Sequence, residues 1–296
     1  MPLDASLVGT ESEPLVHEVD ERWSMAYAVG LGDLLDCYID TRRPSGIIAH
    51  PLFPVCLEWP AALALRAKHR GKMPPAEATR GVHATHHTIL HRSLRPPLRL
   101  TTRAVIAGVE ARKPGAFEVT RFETVDAQGT PVCTTYTGNI YRQVEIAGDE
   151  HPATMPPAPT PQTSPARPRS EQRIAVAAGA AHVYTECARI WNPIHTDAKV
   201  AAAAGLPAIM LHGTATLALA VSRIIALECA GDPERVAEIY GRFAAMVFMP
   251  SELSLRITSR ERLGDGRDAI FFETLSADGG RAIRDGAVIL RAHPRS

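Results

Sequence analysis

The densest run of chemistry-bearing residues is Trp191-Asn192-Pro193-Ile194-His195-Thr196-Asp197, followed by Gly205 and then by Leu211-His212-Gly213. Histidine's intrinsic pKa lies near neutrality, so His195 is suited to take up a proton and give it back. Pro193 ends regular structure ahead of it and exposes the loop. Gly213 opens a long helix-like run, and the first turn of a helix offers free amide N–H groups and the positive end of the dipole. Glycine permits close backbone approach, which makes the Gly213 amide a candidate donor to a developing oxyanion. Asn192 is placed to orient His195, a water or a substrate. On its own an Asn-Pro-x-His loop is an ordinary turn, and a His-Gly pair an ordinary helix entry. Their joint spacing points to proton transfer beside an activated carbonyl.

That spacing resembles the signature of the MaoC-like dehydratases, also called hydratase 2 or (R)-specific enoyl-CoA hydratases. Members read S-G-D-x-N-P-L-H-x-D, then an Ala/Gly-containing helix, then H-G opening a central helix. Here Asn192-Pro193-Ile194-His195-Thr196-Asp197, Gly205 and His212-Gly213 match it, and Arg242-Phe243 with Pro250 resembles a later R-F…P strand, with Ser251 where glycine is usual. The resemblance covers nearly all of both halves. It implies two tandem hotdog domains, α+β in class, with an antiparallel sheet wrapped around a long central helix in each. It also implies hydration of a 2-enoyl-CoA, or dehydration of a 3-hydroxyacyl-CoA, with an (R)-3-hydroxyacyl product on hydration. His195 is then the general base or acid, Asn192 the orienting group and Gly213 the oxyanion donor. His212, Pro193, Asp197 and Arg242 are expected to contact substrate. Coenzyme A enters as part of the substrate, and no metal or redox cofactor is required.

One departure bears on the chemistry. The family's catalytic aspartate stands five residues before the histidine, and here that residue is Ile190. Isoleucine cannot polarise water or share a proton. Glu186, about one helical turn earlier, is the candidate substitute on the same face. Asp197 is another, although its position fits a helix N-cap. The first half shows the converse. Gly32-Asp33-Leu34-Leu35-Asp36 looks like a remnant of the same segment, but Tyr38 stands five residues after Asp33. The first half is therefore expected to be non-catalytic and to shape the acyl-binding tunnel. Two rival readings follow from Ile190 and Glu186: an acyl-CoA-binding protein without catalysis, and a hotdog thioesterase using a carboxylate.

Other clusters carry less. His83, His87 and His91 are expected on one face of a strand, too far apart to meet at one ion, so a metal site is not expected among them or His86. The His50-Pro51 loop is expected over the substrate or at the seam between halves. Arg223, Arg242, Arg281 and Arg284 are candidates for the phosphates of coenzyme A.

The elements that must position these residues repeat. Seven of the twenty residues from His151 to Ser170 are proline, which excludes helix and interior strand and marks a spacer. Residues 10–148, a linker at 149–170 and residues 171–296 are the expected units. In the second, a short strand (173–177), helices (181–191, 197–204 and 213–229) and strands (238–249, 253–262, 269–276 and 282–291) succeed one another. The first repeats the order: strand 15–19, helices 21–31 and 55–68, then strands 82–92, 100–110, 116–125 and 132–142. The run from Gly213 to Ser222 carries no charge, so that helix must be wrapped by other structure.

Composition sets the outer limits. The 296 residues hold 32 acidic and 32 basic side chains, a balance that argues against nucleic-acid or anionic-membrane surfaces. Five scattered cysteines read as reduced thiols. No signal peptide or membrane span is legible, so a cytoplasmic protein is expected, with a homodimer as a candidate assembly.

Overall fold

Leu253, Leu255 and Ile257 are fully buried while Ser254 and Arg256 between them stay partly exposed, the alternation of a strand with one face on a core. The computed structural model describes residues 2–68, 80–163 and 166–292. Its first half supplies strands β1 (Leu3–Asp4), β2 (Leu15–Val19), β3 (Gly81–Leu90), β4 (Leu98–Arg112), β5 (Gly115–Asp126), β6 (Pro131–Arg142) and β7 (Ile146–Ala147). The second supplies β8 (Ser170–Val176), β9 (Val236–Phe243), β10 (Ser251–Arg262), β11 (Asp268–Leu275) and β12 (Arg281–Leu290). Helices are α1 (Glu21–Gly30), α2 (Asp36–Ile39), α3 (Val55–Lys68), α4 (Ala180–Ala188), α5 (Ala198–Ala203) and α6 (Gly213–Glu228).

Ten strands form one sheet in the order β2-β4-β5-β6-β3-β9-β12-β11-β10-β8. Read from either edge, the order within each half is the same. The halves meet where β3 pairs antiparallel with β9, Thr85 facing Arg242 and Ile89 facing Glu238. The fold is thus a duplicated α+β unit whose two sheets have fused at one edge, the double hotdog architecture. β1 and β7 make a separate parallel pair.

Helix α6 occupies the concavity of the second half. Ala215, Leu217, Ala218, Val221, Ile224 and Ile225 are all buried against the same core as Leu253, Ile270 and Val288. Gly241 on β9 makes room for it, since a Cβ there would sit 3.2 Å from Leu217. Helix α3 is its counterpart in the first half. The proline-rich segment crosses the outer face of the first-half sheet. His151 bridges Val109, and Ala153 lies so close to β4 that a Cβ on Gly108 would fall 2.3 Å from its backbone nitrogen.

Two expected elements are shorter in the structure. The helix expected to reach Trp191 ends at Ala188, because Arg189 takes the left-handed conformation (φ 56°). The strand expected to reach Met249 stops at Phe243. A bulge between His83 and Thr85 also corrects the histidine pattern. It turns His83 to the inner face, where its ring lies 5.5 Å from that of His86. His87 points outward to Glu238 (3.3 Å), and His91, beyond the strand, meets Thr134.

Burial disfavours the protonated form of six histidines. His17 and His195 are lowered, His86 lies well below its ordinary value of 6.5, and His83, His50 and His212 fall to about 4, 3 and 2. As pH falls through 6.5 the unfolded chain takes up protons that the folded chain refuses, so stability falls with pH. Asp33, Glu58 and Glu118 are raised by burial and act with the opposite sign, but they are three against six. The midpoint of thermal unfolding is therefore expected to drop between pH 7 and pH 5. A midpoint that holds steady or climbs over that range contradicts this balance.

Candidate active site

His195 closes a 3-10 turn formed by Pro193–His195 and is 7% exposed. Its Nδ1 lies 2.8 Å from the carbonyl oxygen of Met210. A carbonyl only accepts, so Nδ1 carries the proton and Nε2 keeps its lone pair. Burial lowers the pKa of His195, with the Met210 bond acting in the opposite direction. The imidazole is therefore neutral at physiological pH, the form that a base requires.

The Met210 carbonyl is held by its own strand-like contacts. Met210 bridges Phe248, and the Leu211 amide donates to Val247 at 2.8 Å. The next residue, His212, stacks on His195 with ring centroids 3.7 Å apart and planes 28° apart. His212 Nε2 lies 3.3 Å from Thr185 Oγ1 on α4. Burial above all, and the neighbouring His195, keep His212 neutral. The two rings thus form a buried, uncharged slab, fixed at one side by a carbonyl and at the other by a hydroxyl.

Gly213 follows at the first position of α6. Among the described residues its amide has no acceptor, whereas the Thr216 amide already donates to His212 O. A Cβ on Gly213 would lie 3.2 Å from the Phe243 ring. The free N–H stands at the positive end of a 16-residue helix, where partial charge near +0.5 favours an anionic oxygen.

A second polar thread reaches the same helix end. Tyr184 donates to Thr214 Oγ1 (3.1 Å), and its hydroxyl lies 3.3 Å from that of Tyr27, which itself reaches the Leu52 carbonyl (3.2 Å). Tyr27 and Tyr184 stand 157 residues apart. The same offset relates Asp33 to Ile190 and Tyr38 to His195. The backbone agrees: Asp33 N donates to Ala28 O at 3.0 Å, and Ile190 N to Thr185 O at 3.1 Å.

The other candidate residues are distributed as follows. Asn192 is half-buried beside His195, and its backbone carbonyl accepts from the His195 amide (3.2 Å). Its side chain has no hydrogen-bond partner among the described residues. Pro193 begins the 3-10 turn and is exposed. Asp197 caps α5, accepting from Lys199 and Val200 amides. That carboxylate is occupied by backbone rather than turned to the histidines.

Glu186 lies on the solvent side of α4. Thr185 is the residue of that turn which faces His212, and adjacent helical residues diverge by about 100°. Glu186 receives only a 3.4 Å bond from Trp191 Nε1. It lines an open cleft of about 280 Å³ with His182, Thr185, Trp191, Pro193 and Thr196. Arg242 is not brought to the site. Phe243 faces Gly213, so Arg242 projects through the opposite face of the sheet, where Asp285 pairs with it at 3.1 Å. Ile190 is buried in the main core. Asp33 sits elsewhere, beside Leu35 and facing Ser222 and Arg223. Ser222 is nine residues along α6 from Gly213, roughly 13 Å. His50 donates from Nε2 to Ser222 Oγ (3.1 Å) while accepting from the Leu52 amide, which places its loop at the seam between halves.

Sequence reasoning missed Tyr27, Tyr184, Thr185 and the Met210 carbonyl. Aligning the two halves at the 157-residue offset pairs Tyr27 with Tyr184 and offers a signal for both. Thr185 and Met210 carry none.

Comparison with known proteins agrees with this fold. Residues 160–275 match the family model described as MaoC like domain, and residues 6–135 that described as FAS1-like, dehydratase domain region. The chain is 27% identical over 299 residues to 3-hydroxyacyl-thioester dehydratase Y of Mycobacterium tuberculosis, covering 97% of this chain and 98% of that one. A 58-residue stretch is 47% identical to the peroxisomal enoyl-CoA hydratase 2 of Arabidopsis thaliana, spanning 20% of this chain and 19% of that protein. In fold, it is similar to a MaoC-like dehydratase from Phytophthora capsici (TM-score 0.82, 21% identity, 97% and 96% of the two chains). It is also similar to a Mycobacterium tuberculosis protein with a double hotdog fold (TM-score 0.64, 16% identity, 96% of each chain).

The tautomer is directly observable. Nitrogen-detected NMR of the His195 ring is expected to show protonated Nδ1 and an Nε2 that titrates below 6.5. Protonation at Nε2 in the neutral ring contradicts the Met210 bond.

Proposed function

The chain belongs to the MaoC-like dehydratases of double hotdog fold, and from that premise we propose that it hydrates a 2-enoyl-CoA thioester, or dehydrates the 3-hydroxyacyl product, at the second-half site. One observation carries the reading. The Met210 carbonyl fixes the His195 proton on Nδ1, so a buried, neutral Nε2 lone pair stands in the same loop system as an unused Gly213 amide.

The chemistry follows. The thioester carbonyl oxygen accepts from the Gly213 N–H, which draws electron density from the conjugated double bond. His195 Nε2 takes a proton from water, and the hydroxide forms the bond to C3. The electron pair passes to an enolate oxygen, held by the same amide and the α6 dipole. With isoleucine at position 190, the His195 imidazolium returns the proton to C2. One residue thus acts as base and then acid, and water is added without net proton gain. Stacking on neutral His212 leaves that imidazolium without a carboxylate counter-charge, which favours rapid return of the proton. Asn192, with its side-chain amide uncommitted, orients the water or the thioester.

Ile190 also favours a second reading, an acyl-CoA-binding protein that retains the pocket without turnover. A thioesterase is less well supported, because the Glu186 carboxylate is exposed and turned away from the histidines.

Short- and medium-chain enoyl-CoA esters are expected to lose their conjugated absorbance with the wild-type protein, without release of free thiol. His195→Ala is expected to lower the rate by at least about a hundredfold. Tight binding with neither signal favours the binding protein, and thiol release favours the thioesterase. Ile190→Asp is expected to raise the hydration rate by supplying a second proton-transfer group. A rate unchanged or reduced by Ile190→Asp indicates that another acid already serves.

A further inference from the structure

The inner face of the sheet does not become apolar as it leaves the site. Phe243, against which Gly213 packs, has its ring 4.7 Å from that of His83. His83 neighbours His86, which is 1% exposed and whose Nε2 lies 2.9 Å from Thr88 Oγ1. Thr88 Oγ1 is in turn 3.0 Å from Thr135 Oγ1 on β6. Thr135 faces Glu58 of α3, a carboxyl that is 4% exposed. The inward placement is fixed by register. His86 lies opposite Gly241, whose Cα faces Leu217 of α6, and Thr88 lies opposite Thr135. This polar line runs under the seam between the two central helices.

Two of its members are incomplete. Glu58 Oε1 and His86 Nδ1 are buried and have no hydrogen-bond partner among the described residues. A buried polar atom left unpaired is destabilising, so a plain alkyl chain against this line leaves both atoms unsatisfied. Burial holds the Glu58 carboxyl up at about 7 and His86 neutral. One group that can donate is thus set near one that can accept. Among the described residues no cation pairs with the Glu58 carboxyl, whereas a hydroxyl both donates and accepts. From Phe243 to Thr135 the sheet extends two strands across and four residues along, roughly 16 Å.

Resting on the hydratase reading, we propose that this line is the wall of the acyl path, and that the preferred substrate is a coenzyme A thioester whose acyl chain carries a hydroxyl far from the thioester. Glu58 and His86 are the residues that recognise it. They act on specificity and leave the reacting atoms to His195 and Gly213.

The test uses saturated esters, which cannot be hydrated. Calorimetry compares plain acyl-CoA with ω-hydroxyacyl-CoA at chain lengths of about ten to fourteen carbons, the reach of the polar line. The hydroxylated ester is expected to bind at least about tenfold more tightly at one of these lengths. Glu58→Leu and His86→Phe are each expected to remove that advantage while plain esters bind as well or better. Glu58→Leu is also expected to raise the thermal midpoint, because it removes a buried carboxyl whose Oε1 is unpaired. Equal binding of the two esters at every length overturns the proposal, as does an advantage that survives both variants. A lowered midpoint in Glu58→Leu also overturns it, since the carboxyl is then a structural partner. Because binding is read without turnover, unhydrated enoyl esters would count against the hydratase reading alone.

Discussion

The hydrogen bond from His195 Nδ1 to the Met210 carbonyl decides what the rest of the second half has to hold in place. It works only if the peptide at Met210 faces inward, and pairing of Met210 and Leu211 with Phe248 and Val247 fixes that peptide. Those partners lie just beyond β9, whose position is set on one side by β12 and on the other by β3 of the first half. The same turn delivers His212 onto the His195 ring and Gly213 to the head of α6. The His195 ring, the His212 ring and the Gly213 amide, the proposed oxyanion donor, thus share one support.

Duplication explains why the two halves resemble one another and why they differ in use. Tyr27 and Tyr184 occupy equivalent places and touch across the pseudo-twofold axis. Beyond them the halves diverge: Asp33 and Tyr38 stand where Ile190 and His195 stand in the other half. The first-half group has been absorbed into the seam, with His50 tied to Ser222 of α6 and the Asp33 carboxyl raised by burial. Asp33, facing Ser222, and His195, stacked on His212, thus stand apart along α6. Burial keeps the His195 ring neutral, as the proposed base requires.

Much of this was legible in the sequence because it rests on local rules. The repeated order of elements in the two halves, the uncharged run opening the Gly213 helix and the alternation in β10 are patterns of residue type along the chain, and the motif spacing located His195, His212 and Gly213 together. What was not legible depended on phase or on backbone atoms. Arg242 was misplaced because a strand sends alternate residues to opposite faces, and Phe243 took the inner one. The bulge at Thr85 shifted His83 by the same logic. Glu186 lost to Thr185 by one residue of helical phase. The Met210 carbonyl has no sequence signature, since any residue supplies one. The end of α4 at Arg189, a non-glycine residue in the left-handed conformation, is likewise a backbone feature without a sequence signature.

In the proposed reaction thioester activation and proton transfer meet between Gly213 and His195. The most direct measurement is a crystal structure with a non-hydratable enoyl-CoA analogue bound. The carbonyl oxygen is expected within hydrogen-bond distance of the Gly213 amide, with C3 facing His195 Nε2. A thioester seated at the exposed Glu186 cleft, or in the first half beside Asp33, would contradict it.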